Sequence, residues 1–305
     1  MHCLEIAFRK LFLYMKILIV GASGLVGGNC LTYFKSKGWD CLGTHFGFKT
    51  DHTSFFDTLD LENPQNPDFE TFKPDYILNC GALTHVDYCE ENPHESEQKT
   101  LIAQRNIIKL AQKLNAKLIY ISTDYVFDGE SGPYLEDDIQ NPLSVYGKHK
   151  QLAEQETLAH SSLNLVLRIT NVYGDEIRGK NFVARIISQI KNGDKLSLKL
   201  PIDQFATPVN AKDIARALYL LINDKKSGVY HIASTDYVNR VQLAQKVLSY
   251  YPEAHYDLIA IKTSELNQPA KRPLLGGLKS YKFLQEYPTF VFSNLDDYLK
   301  EKVQQ

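Results

Sequence analysis

The feature that most constrains this chain is a short apolar run followed at once by evenly spaced glycines. The run KILIV, which begins at Lys16, is typical of a strand buried on both faces of a parallel sheet. The turn GASGLVGG follows it and opens a helical pattern. Such glycines permit a tight turn, close approach of the backbone to a pyrophosphate, and close packing of the helix on the strand. The pattern predicts dinucleotide binding, with plain turn chemistry as the alternative. The predicted residues are Gly21, Ser23, Gly24, Leu25, Val26 and Gly27.

Beyond this unit, apolar runs alternate with amphipathic helical patterns up to about residue 170. DYILNCGA, AKLIYIST and LNLVLRIT are the later runs. The alternation is typical of a parallel sheet with helices on both faces. We expect an α/β fold, namely a Rossmann-type doubly wound parallel sheet with a smaller C-terminal α/β substrate lobe. The expected division is an N-terminal extension over 1–14, an NAD(P)-binding domain over 15–170 plus about 206–226, and a substrate-binding lobe over about 171–205 plus 227–305.

The first fourteen residues, MHCLEIAFRKLFLY, precede a second methionine, Met15. Arg9 and Lys10 interrupt their apolar pattern and no small-residue cleavage site follows, which disfavours a signal segment. We interpret the segment as the product of an upstream start codon or as a floppy extension. No uncharged apolar run reaches about 18 residues, so we expect no membrane-spanning helix.

Charge and cysteine usage exclude several classes of partner. The formal net charge is −2 and no basic block or stripe occurs, which argues against nucleic acid as the main partner. The five cysteines are irregularly spaced without a C-x-x-C pair, as is typical of thiols in a reducing compartment. A cytoplasmic location is therefore expected. No Cys/His cluster has the spacing of a zinc site, so we predict no metal.

The end of the second predicted strand bears on the choice of cofactor. An acidic residue about twenty positions after the glycines would bind the adenosine ribose of NAD. Here the strand ends in GTHF, and Thr44 and His45 carry no carboxylate. A hydroxyl or imidazole tolerates a 2′-phosphate better than a carboxylate does. We therefore predict NADPH, with NADH as the alternative. For His45, an ordinary exposed histidine at a strand end is the other interpretation.

Seven motifs together resemble one family, the extended short-chain dehydrogenases/reductases, and within it the dTDP-4-dehydrorhamnose reductases. They are GASGLVG, NCGALTHVD, STDYVFDG, NPLSVYGKHK, NVYG, DQFATP and KRPLLGGL. The resemblance covers nearly the whole chain from Met15. Singly, several of these motifs are not specific.

The resemblance implies a catalytic trio of Thr123, Tyr146 and Lys150. The residue chemistry agrees, because Tyr146 and Lys150 lie four apart on a predicted helix and share one face. A nearby ammonium favours the phenolate and lowers its pKa, which would make Tyr146 a better proton donor near neutral pH. Thr123 ends a neighbouring strand and can hydrogen-bond the same substrate oxygen. An exposed Tyr and Lys on a helix is the alternative.

The resemblance also implies binding roles. Asp124 and Tyr125 would face the substrate, with a turn carboxylate or an N-cap as the alternative for Asp124. Related sugar-nucleotide 4,6-dehydratases carry an acid where this chain has Tyr125, which favours reduction over dehydration. Asn171 stands where close relatives often have tryptophan, and Gln204 and Arg272 are further expected substrate contacts, with a solvated charge as the alternative for Arg272. The remaining residues implied to bind the cofactor, beside Tyr146 and Lys150, are Asp60, Leu61, Cys80, Gly81, Ala82 and Thr84.

The expected function is NADPH-dependent reduction of a nucleotide-linked 4-keto-6-deoxy sugar, on the way to surface polysaccharide. The cofactor would give a hydride to the C4 carbonyl, and Tyr146 would give the proton. Two alternatives stay open. One is a sugar-nucleotide epimerase with tightly held NAD; the other is a non-catalytic NADP-binding subunit, as in methionine adenosyltransferase. The resemblance further implies a homodimer.

Overall fold

The computed structural model describes residues 15–304. The interpretation of residues 1–14 as an extension lies outside these described residues. The strands are β1 (Lys16–Val20), β2 (Asp40–His45), β3 (Thr53–Phe55), β4 (Tyr76–Asn79), β5 (Lys117–Thr123), β6 (Leu165–Ile169), β7 (Leu196–Pro201), β8 (Phe205–Ala206), β9 (Gly228–His231), β10 (Val238–Asn239) and β11 (Tyr256–Ile261).

Helices separate most of these strands. They are α1 (Leu25–Ser36), α2 (Phe69–Phe72), α3 (Val86–Glu91), α4 (Pro93–Ser96), α5 (Ala103–Leu114), α6 (Val145–His160), α7 (Phe182–Lys191), α8 (Ala211–Asn223), α9 (Arg240–Leu248), α10 (Tyr281–Glu286) and α11 (Leu295–Val303). A π-helical stretch, Glu97–Ile102, joins α4 to α5. Within residues 15–304, no helix combines the length and the apolar character needed to cross a membrane.

The centre of the molecule is a seven-stranded parallel sheet in the order β3-β2-β1-β4-β5-β6-β9. Strand order reverses between β1 and β4, which is where ligands bind in doubly wound sheets. Alternate residues of β1 enter different cores, since Ile17 and Ile19 pack with Phe34 of α1, whereas Leu18 packs with Ile107 of α5. This two-sided burial explains the continuous apolar run and confirms the predicted Rossmann-type fold.

The seventh strand corrects one detail of the expected division. Gly228–His231 pairs with β6 in the central sheet, with Leu165 opposite Gly228, although residues from 227 onward were expected in the substrate lobe. Further along, Phe283 of α10 is fully buried in the same core as β1. A four-residue strand without a long apolar run offers too weak a signal to place it in the sheet.

A second core lies in the C-terminal part of the chain. It is built from one face each of α7, α9 and α11, with Ile186, Val247 and Leu299 among its buried members. Two short two-stranded sheets accompany it, β7 with β11 and β8 with β10. This second cluster is separate from the cores on the two faces of the central sheet, and the division into two domains stays a prediction.

Candidate active site

The glycine-rich turn leaves an open cradle at the N-terminus of α1. Gly21 has φ +77°, in the left-handed region that favours glycine. A Cβ at Gly27 would lie 2.5 Å from the Gly21 carbonyl oxygen, so only glycine lets the helix pack this closely on the turn. Gly24 is the N-cap and supplies no capping side chain, and the first turn of α1 has no acidic residue. The free backbone N–H groups and the helix dipole there suit an anionic phosphate.

Thr123, Tyr146 and Lys150 meet at the carboxyl end of the sheet. Thr123 is the last residue of β5, and α6 begins beside it at Val145, capped by Ser144, whose Oγ accepts from the Gly147 N–H at 3.2 Å. A Cβ at Gly147 would lie 2.3 Å from the Tyr125 carbonyl oxygen, so this glycine lets α6 approach the end of β5. Tyr146 and Lys150 are buried on the inner face of α6, which excludes the interpretation as exposed residues.

Burial dominates the electrostatics of this pair. It lowers the pKa of Lys150 to about 7, with the Glu154 carboxylate opposing the shift. The Lys150 ammonium donates to the Ile121 carbonyl at 2.5 Å and lies 4.0 Å from the centre of the Tyr120 ring. The pKa of Tyr146 is raised by burial, partly offset by a hydrogen bond with Thr123, rather than lowered as the sequence suggested. A phenol buried this deeply keeps its proton at neutral pH, as a proton donor must.

Asp124 is held within the protein on all sides. One carboxylate oxygen accepts from the Thr170 hydroxyl at 2.6 Å and from the Gly277 N–H at 3.1 Å. The other accepts from the Thr123 hydroxyl at 3.3 Å, and burial raises the pKa of the group. Asp124 therefore ties β5 to the end of β6 and to the loop around Gly277. The neighbouring Tyr125 ring packs edge-on against Tyr146, with centroids 5.6 Å apart.

The residues expected to meet the adenosine half of the cofactor lie at the end of β2 and in the segment after β3. The Thr44 side chain is buried and donates to the Ile19 carbonyl at 3.4 Å. His45 is also buried, and its Nδ1 lies 2.8 Å from the Thr53 hydroxyl, so the interpretation as an exposed strand-end histidine is wrong. Asp60 accepts from the Glu62 N–H at 3.2 Å, and Leu61 packs against the core beside Phe56.

The segment after β4 runs along the same sheet edge as the glycine turn, because β1 and β4 are neighbours. The Cys80 N–H donates to the Val20 carbonyl at 3.0 Å, and the Gly81 N–H donates to Asn79 Oδ1 at 2.9 Å. Burial raises the pKa of the Cys80 thiol to about 12. Ala82 is half-buried and Thr84 is exposed. A dinucleotide bound at the glycine turn would extend along this edge of the sheet, next to the segment after β4.

The predicted substrate residues are engaged with protein partners. Arg272 forms a two-point ion pair with Asp87, with N–O distances of 2.7 and 2.8 Å. Its side chain is 10% exposed, so the interpretation as a solvated charge is wrong. Gln204 Nε2 donates to the Thr263 hydroxyl at 3.1 Å. The backbone of Asn171 has φ +40°, in the left-handed region.

Sequence reasoning missed Arg240, which begins α9. Its guanidinium donates to Asn171 Oδ1 at 2.7 Å and lies 5.0 Å from the Phe182 ring. Burial lowers its pKa, while Tyr125 and Asp124 act in the opposite direction. No carboxylate of residues 15–304 lies within ion-pair distance of it. In sequence, Arg240 is an ordinary charged residue at a helix start, and only its position beside Asn171 marks it.

No group of three or more His, Cys, Asp or Glu side chains able to hold a metal is found across 15–304. The absence of a metal stays a prediction.

A parallel doubly wound sheet, a glycine cradle and a Tyr and Lys at its edge together define a protein with the extended short-chain dehydrogenase/reductase fold. The sequence profile described as the RmlD substrate binding domain matches residues 15–304, so the chain belongs to that family.

Solved structures agree with this assignment. A dTDP-4-dehydrorhamnose reductase from Clostridium acetobutylicum is 30% identical, with a TM-score of 0.82 over 95% of this chain and 99% of that one. A dTDP-4-dehydrorhamnose reductase from Yersinia enterocolitica is 26% identical, with a TM-score of 0.79 over 95% and 99%. A third, from Bacillus anthracis in complex with NADP, is 24% identical with a TM-score of 0.82 over 95% and 98%, and at that identity shows the fold alone.

Two similar sequences differ in what their names describe. Methionine adenosyltransferase 2 subunit beta of Xenopus laevis is 32% identical over 75% of this chain and 70% of its own length. The spore coat polysaccharide biosynthesis protein SpsK of Bacillus subtilis is 26% identical over 94% and 98%.

Proposed function

We propose that the protein is an NADPH-dependent reductase of a nucleotide-linked 4-keto-6-deoxy sugar. The observation that carries the proposal is that Thr123 hydrogen-bonds Tyr146 and that Lys150 bonds the Ile121 carbonyl of the same strand, β5, two strands from the glycine turn. The similarity to dTDP-4-dehydrorhamnose reductases supports the reaction class, and the lack of a carboxylate at Thr44 and His45 supports NADPH as the cofactor.

The cradle fits a dinucleotide, because Gly21, Gly24 and Gly27 leave the space and the free N–H groups that a pyrophosphate needs. The nicotinamide cofactor, when bound, supplies the hydride for the C4 carbonyl carbon. Lys150 would hold the nicotinamide ribose, and Thr44 and His45 would lie near the adenosine ribose.

Side chains of the protein would donate the proton and stabilise the charge that its loss leaves. The Tyr146 phenol donates its proton to the carbonyl oxygen as the hydride arrives at carbon, so the ketone becomes an alcohol and Tyr146 a phenolate. The charged Lys150 ammonium stabilises that phenolate. The Thr123 hydroxyl, which donates to Asp124 in this structure, would turn its hydrogen to the same substrate oxygen and fix the position of that oxygen.

Replacement of Tyr146 by phenylalanine removes only the proton donor. We expect turnover, followed as loss of NADPH absorbance with enzymatically generated dTDP-4-keto-6-deoxy sugar, to fall by about 10²-fold or more. Tyr281→Phe is the matched control, because Tyr281 is 58% exposed and remote from the trio, and it should keep full activity. Equal turnover in Tyr146→Phe and wild type would refute the assigned role.

One observation favours a second candidate. The similarity to a methionine adenosyltransferase subunit supports a role as a non-catalytic partner of that enzyme. Stoichiometric co-purification with a methionine adenosyltransferase catalytic subunit, without turnover of any nucleotide-linked keto sugar, would favour this candidate over the reductase.

A further inference from the structure

The inner face of α6 buries an ionisable side chain at every helical turn. Tyr146, Lys150 and Glu154 follow one another at intervals of four and are 8%, 4% and 1% exposed. Burying an ammonium and a carboxylate is costly unless each is compensated. The first two members belong to the proposed trio, whereas Glu154 has no place in the chemistry described so far.

Glu154 is held rigidly from two other elements. Arg168 of β6 donates to both of its carboxylate oxygens, with the closest N–O distance 2.8 Å. Gln140 donates to Glu154 Oε2 at 2.6 Å. Arg168 is itself fixed by the Glu136 carbonyl at 3.1 Å and by His231 Nε2 at 3.2 Å. The carboxylate therefore has one defined position, one helical turn beyond Lys150.

Lys150 lacks a direct counter-ion. Across 15–304 no carboxylate lies within 4.0 Å of its ammonium, which is held by the Ile121 carbonyl and the face of Tyr120. Its burial works against the charge that the reaction needs. Glu154 is the one carboxylate that offsets this effect appreciably.

We propose that Glu154 is a positioning residue that keeps Lys150 protonated, with Arg168 setting how strongly its carboxylate acts. The inference rests on the proposed function for its catalytic meaning, but the charge coupling can be measured without turnover. Glu154 touches no reacting atom and acts only through Lys150.

Near neutral pH the groups beside Lys150 carry no compensating charge, whereas Arg168 also acts on a second carboxyl group, that of Glu136. Beside Lys150 these are Tyr146 of α6, Tyr120 of β5 and Cys80 after β4, all with pKa values raised by burial. Beside Arg168 stands His231 of β9, whose pKa burial lowers to about 3, so it is neutral. Glu136, whose pKa burial raises, bonds the His231 N–H. The Glu154–Arg168 ion pair is therefore the charged group whose alteration should change the protonation of Lys150.

The test is a pH titration of the Lys150 ε-carbon chemical shift in lysine-labelled full-length protein, with the signal assigned by its loss in Lys150→Met. Glu154→Gln should lower the pKa of Lys150 by about half a unit or more, because an opposing charge disappears. Arg168→Gln should raise it, because the carboxylate loses its own counter-ion. Shifts of opposite sign distinguish a charge effect from general loosening of the site.

Either single variant leaves one charge buried alone and could fail to fold. The double variant Glu154→Gln, Arg168→Gln leaves none and should lower the Lys150 pKa in the same direction as Glu154→Gln. No shift in the double variant, or shifts of one sign in both single variants, would overturn the proposal. Shifts of the expected signs in a protein without keto-sugar turnover would support the coupling and overturn the reductase assignment instead.

Discussion

At the scale of single residues, the candidate site is defined by burial more than by residue type. The family resemblance implied Tyr146 and Lys150, and their four-residue spacing agrees with it, but their charge states could not be predicted, because desolvation depends on what packs around them. The result is a phenol that keeps its proton and an ammonium poised to lose one near neutral pH.

Arg240 provides a prediction at this scale. A half-buried guanidinium with no carboxylate partner among residues 15–304 suits an anionic substrate group such as a diphosphate. Arg240→Gln should raise KM for the nucleotide sugar by about tenfold or more, with kcat changed less, since the charge acts in binding. The measurement is steady-state kinetics at fixed NADPH. Arg105→Gln, on the far surface in an exposed pair with Glu156, should leave both constants unchanged.

An unchanged KM in Arg240→Gln would show that the substrate anion is bound elsewhere. Arg272 would then be the next residue to test, because its ion pair with Asp87 would have to open to receive a phosphate.

At the scale of elements, the site depends on how closely helices approach the ends of strands. Gly27 lets α1 pack on the glycine turn, and Gly147 lets α6 pack on the end of β5. Both positions require glycine, because a Cβ at either one would clash with a backbone carbonyl oxygen. The glycine spacing made the first predictable, whereas the second lay inside a helix where glycine gives no distinct signal.

Gly27→Ala tests this packing. The added Cβ would meet the Gly21 carbonyl oxygen at 2.5 Å, so α1 must shift away from the turn. We expect a loss of about 1–3 kcal/mol in the free energy of unfolding and weaker NADPH binding. Urea denaturation and quenching of NADPH fluorescence measure the two effects. Gly47→Ala, with no atom within 4 Å of its new Cβ, is the matched control and should be near neutral in both.

At the scale of the whole molecule, the C-terminal segment joins the two cores. Phe283 and Phe290 pack in the core of the central sheet, while Leu295 and Leu299 pack in the second core. The chain therefore returns to the sheet after building most of the smaller lobe. The sequence division at 227 could not show this, because α10 and the residues after it carry only a short apolar pattern.

Phe283→Ala should destabilise the sheet domain although the residue lies far along the chain. Phe283 is fully buried, and its truncation should lower the free energy of unfolding by about 3–5 kcal/mol. Tyr281→Ala, two residues earlier and exposed, should stay within about 0.5 kcal/mol of wild type. Chemical denaturation measures the free energy of unfolding of both variants and of the wild type. If Phe283→Ala were as stable as Tyr281→Ala, Phe283 would lie outside the cooperative core.

The sequence by itself determined the fold class, because apolar periodicity and glycine spacing are local signals, and its motifs supplied the family resemblance that implies the trio. The tertiary structure alone decided that His45 is buried against Thr53, that Arg272 is paired with Asp87, and that Arg240 and Glu154 stand near the site. Those facts depend on contacts between residues distant along the chain. Burial and pairing there set each charge, and no local pattern records them.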